Sequence, residues 1–125
     1  MGFPTGNIIV PPPLSDGDRI ALVAPSGWIL PEFVDGAVAA LEREGFRPVL
    51  APHLMHRYGS FSAPAPVRLA DMADALTSRS VKAVLCVRGG YGAVHLLEGL
   101  SRLPLRDNPK WVVGYSDISA IHGLM

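Results

Sequence analysis

Three short runs of this chain are almost wholly apolar, and the segments between them repeat their apolar residues every three or four positions. The runs are Ile20-Ala21-Leu22-Val23-Ala24, Ala83-Val84-Leu85-Cys86-Val87 and Trp111-Val112-Val113. A strand that is apolar at every position must be covered on both faces, which is the condition of a parallel sheet with helices above and below it. The pattern predicts strands over residues 19–24, 47–51, 83–87 and 110–114. It predicts helices over residues 32–44, 67–77, 93–100 and 117–125, in strict β-α alternation. Pro48 cannot donate to a ladder, so the second strand belongs at a sheet edge. The resulting order is 2-1-3-4, a flavodoxin-like α/β fold in three layers, α/β/α. Its topological switch point lies between the first and third strands, and ligands of such sheets bind outside the carboxyl ends of the strands.

The rest of the chain fits around that frame. Pro4 and Pro11-Pro12-Pro13 mark residues 1–15 as an extended arm before a single domain over residues 16–125. Asp16-Gly17-Asp18 is a turn signal, and Gly45 stops the first helix, whose stripe is Phe33, Ala37 and Leu41. Leu69, Met72, Ala73 and Leu76 form the inward stripe of the second. Residues 53–66 read as the longest loop. Trp28, Phe33 and Trp111 are core candidates, and Cys86, inside an apolar strand, reads as a small buried hydrophobe.

Composition closes several functional classes. Eleven basic residues balance eleven acidic ones, and no basic run is present, which argues against nucleic acid as a partner. No apolar stretch is long enough to cross a bilayer. No Lys or Arg precedes Arg19, so the chain lacks the charged start of a secretory signal. The single cysteine excludes an internal disulfide and fits a reducing, cytoplasmic compartment. With 49% hydrophobic and 18% charged residues, the expectation is an ordered globular domain.

Three predicted loops converge at the carboxyl ends: Pro25-Ser26-Gly27, Arg88-Gly89-Gly90-Tyr91-Gly92 and Tyr115-Ser116-Asp117. Gly114-Tyr115-Ser116-Asp117 stands where a strand turns into a helix. There a serine hydroxyl projects above the sheet beside the first helix amides, the logic of a nucleophile elbow. Ile118 occupies the place of that motif's second glycine, and Ser and Asp are also the commonest helix caps. Taken alone, the tetrapeptide is more often a cap. The three glycines among residues 89–92 let a ligand approach backbone amides closely. They suit an oxyanion hole, a phosphate cradle at a helix N-terminus, or a crowded crossover that needs small residues. The dinucleotide and P-loop fingerprints are absent. His122, six residues after Ser116, falls on a different helix face from it. His53, His56 and His95 show no metal-ligand spacing and read as structural or solvated. The residues alone leave open a serine hydrolase and a non-catalytic nucleotide- or phosphate-binding module.

The motifs together resemble one family. Asp16-Gly17-Asp18-Arg19-Ile20-Ala21-Leu22-Val23-Ala24-Pro25-Ser26-Gly27 is similar to the opening strand of the LD-carboxypeptidases, serine peptidases of murein recycling. Cys86-Val87-Arg88-Gly89-Gly90-Tyr91-Gly92-Ala93 and Pro109-Lys110-Trp111-Val112-Val113-Gly114-Tyr115-Ser116-Asp117-Ile118-Ser119-Ala120 resemble the second and third signatures, in the same order. The resemblance implies that Ser116 is the nucleophile and that the amides of Gly90 and Asp117 form the oxyanion hole. Gly89 and Tyr91 then face the substrate. It implies a cytoplasmic muropeptide substrate cleaved before its terminal D-alanine, with no metal and no cofactor. The microcin C immunity peptidases are a related branch that uses the same machinery on a peptidyl-nucleotide amide. Ala63-Pro64-Ala65-Pro66 departs from the family's Gly-Thr-Asp-like sequence. The family's catalytic Glu and His lie in a C-terminal domain, which is an expected partner absent from these 125 residues; a homodimer is a further expected assembly. Residues 1–125 alone are therefore expected to be inactive.

Overall fold

The computed structural model describes residues 11–88, 92–105, 107 and 109–114, without the side chains of Ala93 and Val94. In chain order the elements are β1 (Arg19–Val23), α1 (Pro31–Arg43), β2 (Arg47–Leu50), α2 (Ala65–Thr77), β3 (Val81–Cys86), a 3₁₀ segment (Ala93–Leu96), α3 (Leu97–Ser101) and β4 (Trp111–Val113). The four strands form one parallel sheet in the order β2-β1-β3-β4. Pro48 indeed sits on the edge strand, opposite Ile20. The helix expected over residues 117–125 lies outside the described residues.

Alternation along β1 builds two separate cores. Ala21 and Val23 face α2, the 3₁₀ segment and α3, where they meet Met72, Leu76, Val84, Leu96 and Leu100. Leu22 and Ala24 face the opposite way, against Val34 of α1 and Leu54 of the loop after β2. Each large side chain buried this way contributes roughly 1.5–3 kcal/mol. The two cores are the physical content of the three layers.

Several expectations need correction. The full burial expected of every apolar run holds for residues 20–24, in β1 and at its end. It holds only in part for the β3 run, where Leu85 and Val87 are half-buried, and not for β4, where Trp111 is 40% exposed and Val113 is also exposed. Phe33 is no core residue: it is 66% exposed, because Val34 takes the inward position on α1. Trp111 sits at the start of the outermost described strand, and its indole N–H donates to the Pro12 carbonyl at 2.9 Å. Trp28 is half-buried, with the Arg57 guanidinium 4.0 Å from its ring centre and that of Arg88 at 5.5 Å. The second helix begins at Ala65, two residues early, because Pro66 falls in the first turn, where no N–H is needed. The expected helix over residues 93–100 opens as a 3₁₀ turn.

The floor of the sheet, at the end away from the predicted loops, carries a buried cation. Lys110 Nζ donates to the carbonyls of Ser78 and Val81 just before and at the start of β3. Burial, and then the neighbouring Lys82, lowers its pKa from the ordinary lysine value. Replacing it strands two carbonyls without their donor, which costs about 1–3 kcal/mol. Lys110→Met is accordingly expected to lower the thermal midpoint by several degrees. An unchanged melting curve would show that water replaces the ammonium without loss.

Candidate active site

Leu85 of β3 lies directly opposite Val113 of β4. The described chain leaves these neighbouring strands at Cys86 and Val113, so Val87-Arg88 and Gly114 follow from adjacent strand ends. A cleft of about 640 Å³ opens there, bounded by Trp28, Leu30 and Phe33 on one side and by Val87, Arg88, Val113 and Gly114 on the other. Its walls are mostly apolar, and Arg88 supplies a cation. Ser116, Asp117, Gly89, Gly90 and Tyr91, the site residues expected from sequence, lie outside the described residues, as does His122.

The described residues around the cleft are tightly interlocked. Val87 N–H donates to the Val23 carbonyl at 3.0 Å, extending the β1–β3 ladder one step beyond the strand. Arg88 Nη1 donates to the Trp28 carbonyl, tying the start of the glycine segment to the loop after β1. That loop is itself stitched to residues 58–62. Gly27 and Phe61 form an antiparallel bridge, Ser62 N–H donates to the Ser26 carbonyl at 3.0 Å, and Ser62 Oγ donates to the Ala24 carbonyl at 2.6 Å.

Arg68, on the inner face of α2, is 3% exposed and reaches into this knot. Its Nε donates to the Ala63 carbonyl at 2.7 Å, and Nη1 donates to the carbonyls of Pro25 and Gly92, each at 2.9 Å. The Phe61 ring lies 4.7 Å beneath the guanidinium. A buried guanidinium that meets several carbonyls is stable where an unpaired one would not be. Gly92 itself has a φ of +117°, and its carbonyl also accepts from His95 N–H at 3.1 Å.

The histidines divide. His53, in the loop after β2, gives both its backbone N–H and Nδ1 to the carboxylate of Asp71, each at 2.9 Å. This anchors the loop to α2, as a structural histidine should. His95 Nδ1 lies 3.4 Å from Arg68 Nη2. Among the described residues no group of three His, Cys, Asp or Glu could hold a metal, and no helix is long and apolar enough to cross a membrane. Burial pushes the Cys86 thiol up to about 12, so the thiolate needed for nucleophilic chemistry is scarce near neutral pH. It is packing, as its apolar strand suggests.

Sequence reasoning missed Arg68 and Asp71. The available signal was their spacing: residues 68, 71, 72 and 75 share one helical stripe, and the buried Met72 and Ala75 define that stripe as inward.

Comparison with known proteins agrees with this architecture. The family description "LD-carboxypeptidase N-terminal domain" matches residues 20–125. A carboxypeptidase homologue of Streptomyces coelicolor is 38% identical over 92% of this chain and 38% of its own length. The murein tetrapeptide carboxypeptidase of Pseudomonas aeruginosa is 34% identical over 85% of this chain and 37% of its own. The chain thus spans under two fifths of the length of these relatives. Among solved structures, an MccF-like protein from Bacillus anthracis superposes with a TM-score of 0.82 at 32% identity, over 91% of this chain and 36% of that one. MccF is the microcin C7 self-immunity protein.

Proposed function

We propose a function from one premise: the chain belongs to the LD-carboxypeptidase family and corresponds to its N-terminal domain. The whole enzyme removes the terminal D-alanine from murein tetrapeptides in the cytoplasm, and residues 1–125 bring its nucleophile and oxyanion hole. Ser116 Oγ attacks the scissile carbonyl carbon while its proton passes to a histidine supplied by the remainder of the enzyme, where a glutamate orients that base. The amides of Gly90 and Asp117 stabilise the tetrahedral oxyanion. Gly89 and Tyr91 line the substrate path. Collapse breaks the C–N bond, D-alanine leaves with the proton, and water then hydrolyses the acyl-serine.

The observation that carries this reading is the pairing of Leu85 with Val113. Gly90 follows the end of β3 by four residues, and Ser116 follows the end of β4 by three, so both segments start from adjacent strand ends at one cleft. The apolar walls and Arg88 suit a peptide that carries carboxylates. Likeness to an MccF-like structure supports a second reading, in which the same machinery cleaves a peptidyl-nucleotide amide.

The test measures D-alanine release from an LD-linked tetrapeptide by the complete enzyme and by the separate 125-residue chain. The complete enzyme is expected to turn over and the separate chain is not, because a serine hydroxyl is a poor nucleophile without its base. Parent-like turnover by residues 1–125 would place the base among their own histidines. Cleavage of a peptidyl nucleotide with no action on the tetrapeptide would select the second reading. Thermal stabilisation by nucleotides with no cleavage of either would favour a binding module.

A further inference from the structure

We infer that Arg68 is a positioning residue for catalysis, fixing Gly92, where the glycine-rich segment rejoins the described fold, and through it the proposed Gly90 donor. The inference rests on the proposed oxyanion role of Gly90 and extends it to a residue on another element. The segment between β3 and the 3₁₀ segment is held at both of its described ends. At its start, Val87 is bonded into the ladder and Arg88 holds the Trp28 carbonyl. At its end, the Gly92 carbonyl is held by Arg68 Nη1 at 2.9 Å. The same nitrogen holds Pro25, and Nε holds Ala63, so one guanidinium references the turn to the loop after β1 and to the loop before α2.

A glycine-rich segment has wide backbone freedom, which lets amides approach an oxyanion but does not itself aim them. Oxyanion stabilisation depends on donors fixed before the charge develops, and a misplacement of about 1 Å can cost about 10²-fold in rate. Arg68 supplies such fixing from rigid ground. It stands on a thirteen-residue helix, is buried, and lies over the Phe61 ring at 4.7 Å. Three carbonyls from three separate segments converge on its planar fork, a geometry that the single ammonium of lysine satisfies only in part.

The experiment compares Arg68→Lys and Arg68→Met with the parent in the complete enzyme, measuring kcat and KM for D-alanine release and affinity for a peptidyl boronic acid that mimics the tetrahedral state. Ser116→Ala is the control. The expected result is a kcat lowered about tenfold in Arg68→Lys and about a hundredfold in Arg68→Met, with KM changed less than about threefold. Boronate affinity should fall in step with kcat. If Arg68→Met does not fold, Arg68→Lys decides by the same measures. Parent-like kcat in a folded Arg68 variant, or a loss carried by KM with boronate affinity unchanged, overturns the inference while an inactive Ser116→Ala leaves the catalytic reading standing. An active Ser116→Ala overturns both.

Discussion

Ser116→Ala in the complete enzyme is expected to lower kcat for D-alanine release by about 10⁴–10⁶, with KM nearly unchanged. Removal of a catalytic serine from a triad typically costs that much, and the remaining rate comes from the oxyanion hole and binding. The cleft walls and the Gly90 and Asp117 amides survive the substitution, so the ground-state complex should form as before. The competing role for this residue, a helix cap, makes a different forecast. Loss of a cap costs about 1 kcal/mol of stability and leaves chemistry largely intact. A variant that melts slightly earlier but still releases D-alanine would return Ser116 to the cap and remove the nucleophile from this chain. Steady-state kinetics and a melting curve on the same preparation separate the two.

The sheet was legible because its determinants are local and redundant. The apolar runs of β1 and β3 mark strands by themselves, and Pro48 alone places β2 at an edge, which with right-handed crossovers yields the order β2-β1-β3-β4. Burial was legible only where alternation decides it. Phe33 and Trp111 look like core by residue type. The helix phase turns Val34 inward instead of Phe33, and Trp111 belongs to the outermost described strand. Residue type sets what burial would yield; position in the fold decides whether it happens.

Charged residues inside the fold are harder to read, since a helix stripe is recognised by its apolar members. Arg68 and Asp71 lie on the same stripe as Met72 and Ala75, and each is buried because distant segments supply partners. For Asp71 the partner is His53, eighteen positions away; for Arg68 it includes Gly92, twenty-four positions away. No local pattern encodes such a pairing. The contact before α2 is a backbone one: Arg68 takes the carbonyl of Ala63, which any side chain at that position would leave in place.

Gly92 is where conformational freedom and close packing coincide, and Gly92→Ala is the second large effect expected. Its φ of +117° is one that an L residue rarely adopts, at a cost of about 1–3 kcal/mol. An added Cβ would also stand 2.8 Å from Arg68 Nη1 and 2.8 Å from Phe61 Cε1, inside contact distance of two groups held in place by their own bonds and packing. Overpacking of that kind costs a further 1–3 kcal/mol or so. Together these are a large fraction of the roughly 5–15 kcal/mol that holds a domain folded. The clash falls on the loop and not on either core, so the turn should give way first. Gly92→Ala is therefore expected to lower both the melting temperature and kcat of the complete enzyme, the latter by about a hundredfold, as the turn loses its hold on Arg68. A second substitution separates the two causes. Phe61→Ala removes the ring atoms at 2.8 and 3.0 Å, so adding Gly92→Ala to that background should cost less than it does alone, leaving chiefly the backbone strain and the contact with Arg68. Equal costs in both backgrounds would mean that the ring yields freely and that φ alone demands glycine. A Gly92→Ala enzyme with the parent's melting temperature and kcat would show that the turn can take another path without disturbing the site.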